Sequence, residues 1–599
     1  MTTQMGFSEM MQSLYTGSAS LDYRKTGRLL REMEAQAGVR VALMGNVTLD
    51  LLTPFLRVEA AKAGQMSAFH VSPFGQYMQD LHGEALQCFD PHVIVLLLSA
   101  EVMRPDAFAR FHQLSVEDRH RLRADMAAEI EGWIDSAVMR TTATLMVANF
   151  PCPSSALGVA DLSSEYGERE FFLELNLALI RAVRARPRAM MLDVVEAMGR
   201  VGARHAIDRR MHYLAGLGWT DMMMREFGAV FAHALVGALG AARKCLVLDL
   251  DNSLWGGVVG EDGPHGIRVG RGDMVGEAFR AFQLRIKALK ERGIMLALCS
   301  KNNPEDVEEV FRLRTDMPLQ LSDMAATAIG WDTKYASIEK IASQLNIGLD
   351  ALVFLDDNAA EIAAVRQYCP DVHAVLLPPD PSDFVDILDA LPWFEKSRLT
   401  AEDRARTEQY ALAAKREALC ASCDPMDYLR DLDMRAAVRA AGPADLLRVH
   451  QLFNKTNQFN LTTGRPTMGE VEAMMTGPAW QLIVADLRDR FGELGTVAIC
   501  ALRREGTALH IGHLLMSCRA MGRGLEHAMM NEVKRRFLES DAAFLHGSYV
   551  PTAKNDPVRG FFDDQGFAAI KGGDGTDYAL SRADVAFREC DWIMLEARR

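Results

Sequence analysis

The stretch "CLVLDLDNSLWGGVVGEDG" (residues 245–263) decides how the middle of the chain is read. Its Cys-Leu-Val-Leu run has the profile of a strand buried on both faces, yet it closes on Asp249 and Asp251, two positions apart. Extended residues at that spacing share a face. Two carboxylates so placed repel unless a cation neutralises them. Downstream, "IMLALCSKN" (294–302) ends on Ser300, Lys301 and Asn302, and "ALVFLDDN" (351–358) ends on Asp356, Asp357 and Asn358. Amphipathic helical stretches such as "MVGEAFRAFQLRIKALKERG" (274–293) separate these runs, which predicts an α/β unit with a parallel sheet over 240–395. Ligands of such sheets bind at the carboxyl ends of the strands. A single D-x-D says little, since a strand-end Asp often caps a helix; three polar strand ends in one domain say more. Asp249, Asp251, Asp356 and Asp357 form an oxygen-rich set suited to Mg²⁺ with room for phosphate oxygens, with Asn252, Ser253, Lys301 and Asn302 as substrate-binding candidates.

In this order, "DLDNS", "CSKN", the lysine of "WDTKYASI" and "FLDDN" resemble the motifs of the haloacid dehalogenase (HAD) superfamily of phosphotransferases. The resemblance implies Asp249 as the nucleophile that takes up a phosphoryl group and Asp251 as general acid/base. It implies Ser300 as a hydrogen-bonding partner of the phosphoryl group, Lys334 as the screening cation, and Asp356 and Asp357 as metal ligands. The chemistry is coherent, because a carboxylate attacks a phosphate dianion only where cations offset the repulsion, and a second Asp can protonate the leaving alkoxide. About 46 residues separate the first two motifs, which leaves no room for a large cap domain. An open site is expected, with Trp255 to Gly263 as a short flap and a bulky substrate or a neighbouring domain as its cover.

At 599 residues the chain needs several cores. A net charge of −14 argues against nonspecific nucleic-acid binding, and the longest apolar run, "VIVLLLSA" (93–100), is too short to span a bilayer. No basic segment followed by an apolar core opens the chain, so no signal peptide is read. The pair Cys420 and Cys423 has no matching second pair, so no zinc site is read there. Ten scattered cysteines fit reduced thiols and a cytoplasmic setting.

Residues 1–35 have the pattern of a helical leader, and 36–235 alternate strands with helices ("VRVALMGNVTLDLLTPFL" from 39, "PHVIVLLLSA" from 91, "RTTATLMVANF" from 140). Residues 396–434 form a charged helical connector, and 435–599 an α+β domain with an antiparallel meander. In that last domain, "CRAMGRGLE" places Arg519, Gly522 and Gly524 between a strand and a helix, where backbone N–H groups can cradle a phosphate. The turn and its flanks resemble a GNAT acyltransferase, in which it holds a pantetheine-linked phosphate. Cys518 precedes the turn, and a thiol beside a helix N-terminus and an arginine is a candidate nucleophile. A core role is open to it as well. Cys299 is a rival, although alternation points it away from the face of Ser300.

Together with "NKTNQFNLTT" (454–463), these motifs resemble the FkbH-like family of the HAD superfamily (subfamily IIIC) from about residue 36 to the end. The resemblance implies an α/β multidomain fold: an SGNH-hydrolase-like domain, a HAD Rossmann-like domain with a minimal cap, and a GNAT-like domain. It also implies a Mg²⁺-dependent glyceryl transferase/phosphatase of polyketide pathways. Such an enzyme takes a glyceryl group from 1,3-bisphosphoglycerate, removes phosphate, holds the group as an enzyme thioester and loads an acyl carrier protein. The N-terminal module has "GNVTLD" where SGNH hydrolases place Gly-Asp-Ser, with only Thr48 nearby and no late D-x-x-H, so it is expected to be structural. Two alternatives stand beside this: a small-phosphoester HAD phosphatase joined to a separate acyl-CoA transferase, and a scaffold that docks a carrier protein.

Overall fold

In the computed structural model, residues 22–153, 155–400, 403, 424–552, 554–570 and 575–596 are described. Most of the expected connector, with Cys420 and Cys423, and most of the expected leader lie outside them. The leader's described part is the helix Tyr23–Arg31. The chain divides into two compact units. The first holds the described residues up to Gly240 together with Glu395–Ser397 and Pro466–Ala473, and the second holds the remainder.

The first unit is built on five parallel strands, β1 (Val39–Gly45), β2 (Ser67–Val71), β3 (Val93–Leu97), β4 (Thr144–Ala148) and β5 (Ala189–Leu192), in the order β2-β1-β3-β4-β5. Apolar side chains from both faces enter separate cores, as a parallel sheet covered by helices requires. The crevice where such an order reverses lies between β1 and β3. Here Asn46 spans it: its Nδ2 donates to Ser99 O at 3.0 Å and its Oδ1 accepts from Ser99 N at 2.7 Å. The polar side chain at the end of the first strand therefore ties two strand ends together. β2 was not foreseen in the sequence, because "SAFHV" is interrupted by His70 and is mostly half-buried.

The second unit contains two sheets. One is parallel, with β6 (Cys245–Leu248), β7 (Met295–Ser300), β8 (Ala326–Ile329), β9 (Leu352–Asp356) and β10 (His373–Leu376) in the order β10-β9-β6-β7-β8. The three inner strands match the apolar runs of the sequence; β8 and β10 are four-residue edges that the sequence reading lacked. The other sheet has the meander β13 (Trp480–Asp489), β14 (Gly492–Glu505) and β15 (Ala508–Met516), all antiparallel. β16 (Phe544–Tyr549) then pairs parallel to β15. Around this centre lie β11 (Met434–Ala440), β17 (Ala568–Ile570), β18 (Thr576–Ser581) and β19 (Ile593–Leu595), while β12 (Phe459–Asn460) pairs with β15 off the main path. The helix Leu525–Glu539 follows β15 through the Gly-rich turn. No helix among the described residues is long and apolar enough to cross a membrane.

Candidate active site

In the parallel sheet of the second unit the strand order reverses between β6 and β9, so the binding crevice opens between their carboxyl ends. Asp249 follows β6, and Asp356 ends β9 with Asp357 next. One carboxylate oxygen from each of these three lies within 4.8 Å of the others. Lys334, the first residue of the helix Lys334–Gln344, is buried with its Nζ 2.5 Å from Asp249 Oδ1 and 2.8 Å from Asp356 Oδ2. Burial pushes the carboxyls of Asp249, Asp356 and Asp357 up from the ordinary range, and mutual repulsion adds to it while Lys334 opposes it. Burial alone would lower the Lys334 ammonium; its two carboxylate partners outweigh that and raise it. One lysine faces three carboxylates. Asp249 Oδ1 is buried and makes no hydrogen bond of good geometry despite the nearby ammonium. The set fits a divalent cation: hard oxygen donors, converging, under-neutralised.

Asp251, expected as a fourth ligand, has its side chain outside this group of three carboxylates. Beyond Leu248 the chain leaves the sheet, and alternation no longer sets direction. Asp251 Oδ1 accepts from Trp255 Nε1 at 2.9 Å and from Val259 N at 3.1 Å, and Oδ2 accepts from Asn302 Nδ2 at 2.9 Å. Asn302 also donates to Ser300 Oγ at 3.1 Å, joining the second motif to the first. Ser253, buried, donates to Asp357 Oδ1 at 3.3 Å. Asn252, at φ 52°, is exposed and accepts from Gly257 N at 3.0 Å, so it shapes the loop. Lys301 Nζ lies 2.5 Å from Glu361 Oε1, at the rim. The expected flap from Trp255 is also corrected: Trp255 and Val259 are buried in the domain core, and the segment becomes exposed only from Gly260, inside the short kinked helix Val259–Gly266. Cys299 faces the opposite core with its thiol pushed up to about 12 by burial, which removes it as a rival nucleophile.

Arg519, Gly522 and Gly524 do form a turn between β15 and the helix Leu525–Glu539. The Arg523 carbonyl accepts from Trp592 Nε1 at 2.8 Å, and Arg523 Nη1 pairs with Asp489 Oδ2 at 3.1 Å, which fixes the turn from behind. Cys518 opens a three-residue turn seven positions ahead of the helix. Glu526, half-buried in the helix's first turn, already places a carboxyl group at that end, and burial pushes that carboxyl up from the ordinary range.

What the sequence reading missed is a cavity of about 350 Å³ beside Cys518 and Arg519. Its other wall is the amino-terminal end of the parallel sheet: Lys244 precedes β6, Met295 begins β7, and Gly348 leads towards β9. The "NKTNQFNLTT" motif supplies Lys455, Thr456, Asn457 and Gln458 to it. The Gly-rich domain therefore covers the end of the sheet opposite the carboxylate crevice. Among the described residues, the expected packing of a neighbouring domain on the parallel sheet is seen at this end, away from the motif residues.

No protein-family model matches the chain, and no curated protein matches it. Among solved structures it is similar to the N-terminal part of the protein BF1531 from Bacteroides fragilis, which contains a phosphatase domain and was obtained in complex with Mg. Identity is 26%, the match covers 63% of this chain and 100% of that chain, and the TM-score is 0.57. A smaller part resembles the ribosomal-protein-S18-alanine N-acetyltransferase of Escherichia coli (13% identity, 26% of this chain, 97% of that chain, TM-score 0.20). It also resembles the spermidine N-acetyltransferase of Vibrio cholerae in complex with CoA and spermine (12%, 25%, 96%, TM-score 0.20). The chain is a multidomain α/β protein that shares the fold of a phosphatase-domain protein.

Proposed function

We propose that this protein is a Mg²⁺-dependent phosphatase and glyceryl transferase of the FkbH-like type in the HAD superfamily, acting in the cytoplasm on an acyl carrier protein. The observation that carries the phosphatase half is the convergence of Asp249, Asp356, Asp357 and Lys334 at the sheet's switch point. Asp249, Asp356 and Asp357 would hold Mg²⁺, whose charge offsets the carboxylates and the incoming phosphate. An oxygen of Asp249 attacks phosphorus as the bond to the leaving oxygen breaks, and Asp251 supplies that oxygen's proton. Water then attacks the aspartyl-phosphate, giving its proton back to Asp251 and releasing phosphate. Lys334 holds Asp249 in place and screens its charge. Asn302 orients both Asp251 and Ser300. In the Gly-rich domain, Cys518 carries the acyl group as a thioester, and the turn with Arg519, Gly522 and Gly524 receives the carrier's pantetheine arm.

The test is intact-mass spectrometry of the protein with Mg²⁺, 1,3-bisphosphoglycerate and a holo acyl carrier protein. A glyceryl adduct on both proteins is expected, with the enzyme's adduct lost in Cys518→Ala. No adduct on the carrier overturns the transferase reading. The opposite placement of the two centres favours a second reading, a phosphatase for small phosphoesters beside an independent acyl transferase. Phosphate release without any adduct would select it.

A further inference from the structure

We propose that Trp331 is a specificity-determining residue of the carboxylate crevice, its indole receiving the carbon skeleton of the group that leaves phosphorus. Of the seven tryptophans in the chain, Trp331 alone is exposed, at 72%, while the others are buried or half-buried. A tryptophan left in water forgoes one of the largest apolar gains a side chain offers, so its place needs a reason. That place is the rim of the crevice. Ser300 ends β7 opposite Ile329 of β8, and Gly330 N donates to the Ser300 carbonyl at 3.0 Å. Trp331 therefore leaves the sheet level with the second motif. Lys334 follows shortly after it and reaches back to Asp249. Because β6, β7 and β8 are consecutive in the sheet, the backbone of Trp331 lies about two strand spacings, roughly 10 Å, from that of Asp249.

The ring is also held in place. Its Nε1 donates to Asn303 Oδ1 at 3.1 Å, and Asn303 Nδ2 donates to Asp306 Oδ2 at 2.9 Å. An indole N–H only donates and a carboxylate only accepts, so the pair fixes the orientation of the amide and, with it, the edge of the ring. Asn303 follows Asn302, which donates to Asp251 and Ser300. The hydrogen bond thus draws the indole from the end of β8 towards the turn that carries Asn302, with most of its surface still in water. An aromatic surface that is exposed and already ordered loses little rotamer freedom when a ligand covers it. Lys301 and Glu361, paired at the rim, are charged, so the carbon skeleton of a leaving group finds its apolar contact at the indole. This inference rests on the phosphatase half of the proposed function and adds a substrate class to it: phosphate esters whose leaving group has a skeleton of several carbons to lay against the ring.

Alkylphosphonates, whose P–C bond this chemistry does not break, test the inference without turnover. The full chain with Mg²⁺ is titrated by calorimetry with methylphosphonate and with butylphosphonate. Butylphosphonate is expected to bind about tenfold more tightly, as a chain covered on one face would. Trp331→Ala should abolish that difference and leave methylphosphonate binding unchanged, whereas Trp331→Phe should keep most of it. Asn303→Ala, which frees the edge of the ring, should lose part of it. In turnover, Trp331→Ala should raise KM for butyl phosphate about tenfold with kcat unchanged, and leave both constants for methyl phosphate as they are. Equal affinities of the two phosphonates in the parent, or a difference that survives in Trp331→Ala, overturns the proposal. Phosphate release from methyl phosphate, too short to lie on the ring, reports separately on Asp249, so failure of one reading is distinguishable from failure of the other.

Discussion

Lys334 Nζ lies 2.5 Å from Asp249 Oδ1 in a buried pocket that also contains Asp356 and Asp357. One ammonium thus restrains three carboxylates that burial has already made hard to ionise.

Asp249→Asn separates catalysis from stability. Phosphate release should fall below detection in a Mg²⁺-supported assay. Thermal unfolding without metal should change little, because Lys334 keeps Asp356 as its partner while one of three mutually repelling carboxylates has been replaced by a neutral amide. The rise in Tm on adding Mg²⁺ should shrink. A variant of undiminished turnover would remove Asp249 as nucleophile.

Lys334→Met should behave in the opposite sense. It leaves Asp249 and Asp356 without their counter-charge, and breaking one side of a buried pair costs about 3–5 kcal/mol. Chemical unfolding in chelator should show this loss, and Mg²⁺ should recover part of it. Equal stability of the variant and the parent in chelator would contradict the proposed charge balance.

Acid sensitivity should come from two histidines outside the site. Burial pushes His450 down to about 4, helped by Lys455, and pushes His373 down to about 3, helped by Arg243 and Arg366. Asn454 Nδ2 donates to His450 Nε2 at 2.9 Å, which requires that nitrogen unprotonated. In the unfolded chain both rings titrate near 6.5. Their folded values are depressed, so their contribution is complete above about 6.5 and lost as pH falls towards 4 and then 3. Urea midpoints measured across that window should fall, and His450→Gln should flatten the upper part of the decline.

The two glycines of the Gly-rich turn, Gly522 and Gly524, should respond differently to alanine. Both have left-handed backbones, φ 71° at Gly522 and φ 84° at Gly524. A Cβ at Gly522 meets open space, so only the conformational cost of about 1–2 kcal/mol applies. A Cβ at Gly524 would lie 2.6 Å from the Trp592 ring, so Gly524→Ala should cost clearly more and shift the indole's hydrogen bond to Arg523. Denaturant unfolding and tryptophan fluorescence check both. Equal losses would mean that the turn tolerates displacement of Trp592.

The sequence by itself determined the parallel sheet of the second unit, its carboxyl-end motifs and the meander with its Gly-rich turn. These are local matters: apolar runs of strand length, polar residues where they stop, and glycines where the backbone must turn left-handed. Asp249, Ser300 and Asp356 were legible for that reason, each lying at the last position of a run or just beyond it. Tertiary structure decided what locality does not reach. The side chain of Asp251 points to Trp255 and Asn302, away from the three-carboxylate group, because the chain has left the strand and long-range hydrogen bonds set its direction. The edge strands β8 and β10 exist because a neighbour offers a free edge, since four residues with a single buried one among them carry too weak a pattern of their own. The residues that line the cavity beside Cys518 come from segments far apart in the chain, among them Lys244, Gly348 and Lys455, and no spacing in the sequence records that packing gathers them at the amino-terminal end of a sheet whose carboxylate group lies at the other.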